Sequence, residues 1–232
     1  MNVAVVIATY NERDNLPNLA EAILTNPGYR IIVVDDNSPD GTGGIADSLS
    51  DRFPGRVSVI HRTGPRGLGR SLIAGMKRAL ADGADLIFEM DADFSHDPRY
   101  LADMAAAAAD ADLVIGSRYV NGISVVNWPL RRIILSTCAN RYVRAVTGLD
   151  TQDCTSGYRC WRKECLAKLP LDGVISDGYA FLVETLYLAK RLGYQIREVP
   201  IIFVERRQGT SKLSSQVLME SIVIPWRLRL KP

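Results

Sequence analysis

The sequence is poor in histidine and cysteine, which limits the metal sites it can build. It has two histidines and four cysteines among 232 residues. The cysteines form no C-x-x-C pair, and the histidines are not spaced with them as zinc ligands, the residues being Cys138, Cys154, Cys160, Cys165, His61 and His96. The pattern argues against a structural zinc site and predicts reduced thiols, as in cytosolic proteins.

Long apolar runs are also lacking. No run approaches the roughly 18 residues that a membrane-spanning helix needs. The apolar run Val3–Ile7 has no basic segment before it and no small-residue cleavage site after it, which predicts a first strand rather than a signal peptide. If the protein works at a membrane, we expect it to lie on the surface, to be held by a membrane-spanning partner protein, or to be fused to a further domain.

A strong excess of charge is absent too. The chain has 28 Lys and Arg against 26 Asp and Glu, for a net charge of +2. Nucleic-acid-binding domains usually carry a larger basic excess, so we predict no nucleic-acid partner. The composition, 47% hydrophobic and 23% charged, is that of an ordered protein with a large core.

What the first half does have is an alternation of short apolar runs with helical patterns. The predicted strands are Val3–Ala8, Arg30–Val34, Val57–His61, Asp85–Met90 and Asp112–Gly116, and the predicted helices are Asn15–Leu24, Gly41–Leu49, Leu68–Ala81 and Pro98–Ala109. This order predicts an α/β fold with a mostly parallel sheet and helices on both faces. Asp97 as cap and Pro98 at the first helical position predict the start of the last helix.

The second half is less regular. It is predicted to contain a strand and three helices, over Gln195–Val204, Trp128–Thr147, Gly178–Leu192 and Ser214–Leu230. No repeat or linker interrupts the chain, so we predict a single domain over residues 1–232.

Polar residues gather where the predicted strands end. In open parallel sheets ligands bind beyond the carboxyl ends of the strands, and Asp91-Ala92-Asp93 follows a buried strand. Two carboxylates on such a turn could share Mg²⁺ or Mn²⁺, which prefer oxygen ligands and would neutralise a leaving diphosphate. The alternative is that both aspartates only cap a turn.

Other candidate sites are weaker individually. Asp36 could accept hydrogen bonds from a ribose or base, or could simply belong to the turn-rich segment that follows it. The glycines of Gly64–Arg70 could cradle phosphate or allow close packing. Cations in the second half could bind phosphates or form a solvated surface. The pattern Arg206-x-x-Gly209-x-Ser211-Lys212 favours a loop folded over an anion.

Seven motifs occur in order along nearly the whole chain. They are Ala8-Thr9-Tyr10-Asn11-Glu12, Val33-Val34-Asp35-Asp36-Asn37-Ser38, Gly67-Leu68-Gly69, Asp91-Ala92-Asp93, Gly116-Ser117-Arg118-Tyr119, Ser156-Gly157-Tyr158 and Arg206-x-x-Gly209-x-Ser211-Lys212. With them the chain resembles the family 2 glycosyltransferases of GT-A fold. Within that family it is most similar to the dolichyl-phosphate and bacterial polyprenyl-phosphate mannose synthases, because the last three motifs are typical of that branch.

The resemblance implies a Rossmann-like GT-A fold, with a mostly parallel sheet flanked by helices and a C-terminal interfacial helix. Residues 1–120 would form the nucleotide-sugar-binding half, and residues 121–232 the acceptor and membrane-facing half.

The resemblance also implies roles for individual residues. Asp91 and Asp93 would hold Mg²⁺ or Mn²⁺. The donor would be bound by Thr9, Tyr10, Glu12, Asp36, Asp91, Ala92, Asp93 and Lys212, the acceptor phosphate by Arg118, Arg131 and Ser211, and catalysis would rest on Asp91, Asp93, Arg118 and Arg206. The family often has Gln where this chain has Ser95, whose shorter side chain leaves open whether it reaches the metal directly or through water.

The implied reaction is inverting transfer of mannose from GDP-mannose to a polyprenyl monophosphate. This acceptor is already anionic at neutral pH, so no strong general base is needed. For Asp153 and Asp177 we therefore favour turn or cap roles. The alternatives are a UDP-glucose-dependent polyprenyl-phosphate glucosyltransferase, transfer to a polysaccharide or protein hydroxyl, and a non-catalytic nucleotide-sugar binder.

A polyprenyl tail lies in a membrane, and two segments could meet it. Val125–Val146 and Val217–Leu230 mix Trp, Ile and Leu with Arg, as interfacial helices do. Cations near the C-terminal end, among them Arg227, Arg229 and Lys231, could attract anionic lipid. We expect a peripheral protein on the cytoplasmic face of a membrane, and the alternative for either segment is packing against the core.

Overall fold

A computed structural model describes residues 1–174, 176, 178–205 and 215–230, of which residues 215–221 are described by their backbone alone. Over this part of the chain the strands are β1 (Val3–Thr9), β2 (Tyr29–Asp35), β3 (Val57–His61), β4 (Leu86–Met90), β5 (Leu113–Ser117), β6 (Val125–Val126), β7 (Arg159–Arg162), β8 (Ile196–Pro200) and β9 (Phe203–Val204). The α-helices are α1 (Leu16–Leu24), α2 (Thr42–Arg52), α3 (Leu68–Ala81), α4 (Leu101–Ala107), α5 (Leu130–Thr147), α6 (Lys163–Leu166), α7 (Gly178–Arg191) and α8 (Ser215–Leu230), and short 3-10 helices cover Pro98–Tyr100 and Leu171–Gly173.

Seven of these strands form one sheet in the order β3-β2-β1-β4-β7-β5-β8. All neighbouring pairs are parallel except those of β7, which runs antiparallel between β4 and β5. The register places Thr9 opposite Asp35 at the carboxyl ends of β1 and β2. The predicted α/β fold with a mostly parallel sheet is therefore confirmed.

Helices cover both faces of the sheet, because side chains alternate sides along each strand. Val5 packs into a core with α1, α2 and α4, whereas Val6 packs into a second core with α3, α7 and α8. Strands from both halves of the chain share the one sheet. The assignment of donor and acceptor roles to the two halves stays a prediction.

The predicted elements of the first half agree with the structure to within one to three residues, except that Pro98–Ala109 begins as a 3-10 helix and ends at Ala107. Asp97 caps it as predicted, accepting a hydrogen bond from the Arg99 amide at 2.9 Å. The predicted strand Gln195–Val204 was wrong as one element, since β8 and β9 belong to different sheets.

Within the described residues, no helix combines the length and the apolar character needed to cross a membrane.

Gly75 provides a test of how tightly α3 packs on the sheet. A β-carbon there would lie 2.2 Å from Val6 Cγ1 and 3.0 Å from Val34 Cγ2. We expect Gly75→Ala to lower the free energy of unfolding by about 1–3 kcal/mol in urea titrations, because overpacking outweighs the better helix propensity of alanine. The matched control is Gly44→Ala in α2, where a β-carbon would meet nothing within 4 Å. This control should be neutral or stabilising by up to about 1 kcal/mol, and equal effects at both glycines would contradict the packing argument.

Candidate active site

The carboxyl ends of β1 and β2 are joined through a buried carboxylate. Asp35 Oδ1 accepts hydrogen bonds from Thr9 Oγ1 at 3.0 Å and from Ser38 Oγ at 2.6 Å. The Ser38 amide donates to the other oxygen at 3.1 Å. Thr9 and Asp35 are both buried. Thr9 thus lies where the sequence placed it, but its hydroxyl organises the loops under the site.

Asp36, predicted to hold the nucleoside, is engaged with the glycine-rich loop. Its Oδ1 pairs with the Arg62 guanidinium, and its Oδ2 accepts a hydrogen bond from the Gly67 amide at 2.7 Å. Arg62 also donates to the Pro65 carbonyl at 3.1 Å. Asp36 therefore fixes this loop beside the ends of the strands, and direct contact with a nucleoside stays a prediction.

Tyr10 lies at the rim with Arg66 stacked on it. The guanidinium carbon is 4.2 Å from the ring centroid, and Arg66 is exposed. The neighbouring Glu12 is tied to the ends of α1 and α2: its amide donates to Thr42 Oγ1 at 2.9 Å, and its Oε2 accepts from Asn15 Nδ2 at 2.9 Å. The flat pair of Tyr10 and Arg66 offers a surface on which an aromatic base could stack.

The D-x-D turn, formed by Asp91–His96, follows β4 directly. The carboxylates of Asp91 and Asp93 have different surroundings. The Asp91 side chain is 47% exposed, whereas Asp93 is 6% exposed and Ala92 is buried. Asp93 Oδ1 accepts hydrogen bonds from the Ser95 hydroxyl at 2.6 Å and from the Ser95 amide at 3.1 Å. Ser95 therefore orients the second aspartate of the motif.

The same turn contains a histidine to which the sequence analysis gave no role in the site. His96 is buried, and its Nδ1 accepts a hydrogen bond from the Asp91 amide at 3.0 Å. The Ser156-Gly157-Tyr158 motif passes directly beside it. A β-carbon at Gly157 would lie 3.5 Å from His96 Cε1 and 3.9 Å from Asp91 Oδ1. A signal was available, since His96 sits between the D-x-D motif and an Asp-Pro helix start.

These residues suit a cation that shares its coordination with substrate. Among the described residues, no cluster of three or more histidine, cysteine and carboxylate side chains is placed to hold a metal ion. Mg²⁺ and Mn²⁺ fit a site of one or two carboxylates, because they accept phosphate oxygens and water as their remaining ligands. Asp91 and Asp93 are thus compatible with a metal–diphosphate complex.

Arg118 is held in a buried ion pair. Its Nε and Nη2 donate to the two Asp153 oxygens at 2.7 and 2.6 Å, and Nη2 also donates to Thr155 Oγ1 at 2.8 Å. Burial alone would raise the pKa of Asp153, but the charge and hydrogen bonds of Arg118 hold it below its usual value. The sequence favoured a turn or cap role for Asp153, and its carboxylate does accept a hydrogen bond from Thr155 Oγ1 at 3.3 Å, but its main partner is Arg118. Contact of Arg118 with a phosphate stays a prediction.

Arg118 is also enclosed by aromatic rings. Its guanidinium carbon lies 5.4 to 5.6 Å from the ring centroids of Tyr119, Trp128 and Phe203. Phe203 belongs to β9, which pairs with β6. The ion pair therefore lies beneath the small second sheet, at the end of β5.

The next two arginines differ in their surroundings. Arg131, predicted to face the acceptor phosphate, is exposed in the first turn of α5. Arg132 pairs with Glu205 and lies 4.0 Å above the Trp128 ring. The predicted site residues Arg206, Ser211 and Lys212 lie outside the described residues, as does Asp177.

A second buried carboxyl lies on β4, under the D-x-D turn. Glu89 is fully buried, accepts a hydrogen bond from the Trp161 indole and lies opposite Arg159 of β7. Burial raises its pKa to about 7, against the opposing influence of Arg159 and Trp161. No role for Glu89 could be predicted from the sequence, because a charged residue inside an apolar strand carries no local sign of its partners.

Comparison with known proteins gives consistent matches. The model of the Glycosyl transferase family 2 matches residues 4–169. The chain is 46% identical over 229 residues to a polyprenol monophosphomannose synthase of Mycolicibacterium smegmatis, covering 97% of this chain and 86% of that protein. It is 44% identical over 227 residues to an undecaprenyl-phosphate mannosyltransferase of Micrococcus luteus, covering 96% and 92%.

Among solved structures, a Mycobacterium tuberculosis glucosyl-3-phosphoglycerate synthase in complex with Mn²⁺, uridine-diphosphate and phosphoglyceric acid has a TM-score of 0.73 and 18% identity, covering 100% of this chain and 79% of that one. This likeness concerns the fold.

Proposed function

The chain belongs to glycosyl transferase family 2, and from this premise we propose that it transfers mannose from a nucleotide-diphosphate donor to a polyprenyl monophosphate. The observation that carries the proposal is the half-exposed Asp91 beside the oriented Asp93, at the carboxyl end of β4. The acceptor class is supported by two relatives that are 46% and 44% identical over nearly the whole chain and whose names specify mannosyl transfer to a polyprenyl phosphate. GDP-mannose is the favoured donor and UDP-glucose the alternative.

The acceptor chemistry explains why a strong base is not required. A phosphate monoester is anionic at neutral pH, so one of its oxygens can attack the anomeric carbon as the bond to the donor diphosphate breaks. A single displacement inverts the anomeric centre. The protein's tasks are then to orient both substrates and to stabilise charge on the departing diphosphate.

The chain's own residues divide these tasks. Asp91 and Asp93 would hold Mg²⁺ or Mn²⁺, which when bound would neutralise the diphosphate. Tyr10, stacked with Arg66, would support the base. Exposed Arg131 would meet the acceptor phosphate, since arginine can grip phosphate through two donors. Arg206, Ser211 and Lys212 keep the roles that the resemblance implies.

The direct test supplies the complete reaction. Purified protein is incubated with Mn²⁺ or Mg²⁺, detergent-solubilised polyprenyl phosphate and either GDP-mannose or UDP-glucose, and the lipid fraction is analysed by mass spectrometry. We expect a polyprenyl-phosphate-mannose product that requires the metal. A product made only from UDP-glucose would favour the alternative donor. Transfer only to a water-soluble hydroxyl acceptor would favour the polysaccharide or protein reaction, and absence of lipid product with every nucleotide sugar tried would reject the proposal.

The polyprenyl tail of the proposed acceptor lies in a membrane. Helices α5 and α8 expose apolar side chains that suit contact with the membrane surface. The helices are joined by the Tyr142 hydroxyl, which donates to the Ile222 carbonyl at 2.6 Å. The large hydrophobic side chains exposed on them are Leu130, Ile134, Leu135, Ile222, Val223, Trp226 and Leu230. Arg227 and Arg229 are exposed beside the face of α8. Such a mixture is typical of interfacial helices, and the cytoplasmic face stays our expectation.

The double change Ile222→Ser and Trp226→Ser should weaken binding to anionic liposomes roughly tenfold or more, because each side chain removes apolar area from the interface. Co-sedimentation with liposomes of mixed neutral and anionic phospholipid measures the effect. Leu192→Ser is the matched control, since this leucine is 47% exposed just beyond α7. Equal binding by the double variant and the wild type would contradict the assignment of this face.

A further inference from the structure

The D-x-D turn contains a residue whose backbone conformation is intrinsically unfavourable. Phe94, in the middle of the turn, has a φ of +61°, in the left-handed region that a bulky side chain disfavours. Side-chain hydrogen bonds accompany this conformation on both sides of Phe94. Ser95 binds the carboxylate of Asp93, and His96 accepts from the amide of Asp91.

The hydrogen bond from the Asp91 amide identifies Nδ1 as the acceptor nitrogen of the His96 imidazole. Because the Asp91 amide donates, Nδ1 of His96 must carry a lone pair, and in the neutral ring the proton then sits on Nε2. Asp91 Oδ2 is 3.8 Å from the same nitrogen. The same edge of the His96 ring therefore accepts the hydrogen bond from the Asp91 amide and faces the Asp91 carboxylate.

The ring itself is held by aromatic packing. It stacks on Tyr158 with centroids 4.9 Å apart and planes at 20°, and it meets the edge of Phe203 at 5.7 Å. The Tyr158 hydroxyl points away from the D-x-D motif and donates to the Asp97 carbonyl at 3.1 Å. His96 is 2% exposed. The acceptor nitrogen is therefore fixed in place before any ligand arrives.

We propose that His96 is a positioning residue for the divalent cation, because its Nδ1 holds the backbone of Asp91 and so presents the Asp91 and Asp93 carboxylates to one ion. This inference rests on the proposed function in assuming a metal at the D-x-D motif. It is independent of the sugar and of the acceptor. Residues that orient metal ligands typically contribute 10–100-fold in metal affinity.

The test measures metal binding without turnover. Mn²⁺ is titrated into the full chain with saturating GDP and, separately, with saturating UDP. Free Mn²⁺ is read from its electron paramagnetic resonance signal against the same titration of nucleotide without protein. His96→Phe keeps a ring for the stack but has no acceptor, so its dissociation constant for Mn²⁺ should rise about 10–100-fold. His96→Asn places a carbonyl oxygen near the position of Nδ1 and should stay within about fivefold of the wild type.

Two further variants separate positioning from general packing. His96→Gln moves the amide one methylene outward and should lose Mn²⁺ affinity as His96→Phe does. Tyr158→Phe keeps the stack but removes the hydrogen bond to the Asp97 carbonyl, and it should bind Mn²⁺ as the wild type does. Thermal melts accompany each variant, and the comparison of Asn with Gln decides the matter if the Phe variant does not fold.

The outcomes are distinguishable. Wild-type affinity in His96→Phe, equal affinity in the Asn and Gln variants, or an equal loss in Tyr158→Phe would each overturn the positioning role. Absence of Mn²⁺ binding by the wild type would overturn both this inference and the metal-dependent mechanism. Normal Mn²⁺ binding with the expected variant pattern, but without sugar transfer to lipid, would overturn the proposed function alone.

Discussion

Replacing Asp91 with Asn is expected to lower kcat/KM for mannosyl transfer by at least about 150-fold, which corresponds to about 3 kcal/mol of transition-state stabilisation. The substitution keeps the size and shape of the side chain and removes its charge. The side chain is 47% exposed, so little stability depends on it. Steady-state kinetics with the lipid acceptor measure the loss, and a thermal melt should show a midpoint no lower than that of the wild type.

Asp97→Asn is the matched control for this change. Asp97 lies just beyond the same turn and its side chain is 41% exposed. Asparagine caps a helix as well as aspartate does, so activity should stay within about threefold of the wild type. If Asp91→Asn kept wild-type kcat/KM, the metal role of the D-x-D motif would be wrong. If both variants lost activity equally, the loss would reflect the turn as a whole.

The strand ends could be located from the sequence because their signals are local. An apolar run, a turn-forming cluster and a helical pattern follow one another within about twenty residues, and the parallel-sheet rule then brings the ends together. Thr9 and Asp35 illustrate this, since each directly follows a predicted strand and the structure pairs them at the ends of β1 and β2. The D-x-D motif was placed at the end of β4 by the same reasoning.

The parts that the sequence could not supply depend on contacts between distant segments. Strand β7 begins and ends with arginine, which hides a buried strand from any hydrophobic pattern. Its Arg159 is fully buried because Thr185 of α7 and nearby carbonyls accept its hydrogen bonds. The pairing of Arg118 with Asp153, 35 positions apart, likewise leaves no periodic trace in the sequence.

That pair carries the largest expected effect on stability. Asp153→Ala should lower the free energy of unfolding by about 3–5 kcal/mol, because it leaves a buried guanidinium without its counter-ion. Denaturant titration measures the change. Asp150→Ala is the control: Asp150 also pairs with a cation, Lys190, but its side chain is 95% exposed. An exposed pair contributes about 1 kcal/mol or less, so similar losses in both variants would contradict the burial argument.

The free energy of unfolding should fall at acidic pH because of the Asp153 carboxyl. Arg118 holds the pKa of Asp153 below its usual value in the folded protein, although burial acts to raise it. A carboxyl with a lowered folded pKa stabilises the protein above its unfolded pKa of about 3.9. The contribution is therefore complete above about pH 5 and is lost as the pH falls through the folded pKa. Asp153→Ala should flatten this acid limb of the stability profile.

A final variant distinguishes the stabilising role of the pair from its role in the site. Buried ion pairs can often be replaced by well-packed apolar side chains with little loss of stability, so Arg118→Met with Asp153→Leu should recover part of what Asp153→Ala loses. The remainder is the hydrogen bond from the amide of residue 118, which leucine cannot accept. Transfer activity should not recover, because the pair lies at the end of β5 beneath β6 and β9, on the side where we place the acceptor phosphate. Recovery of both stability and activity would show that the guanidinium has no part in the reaction.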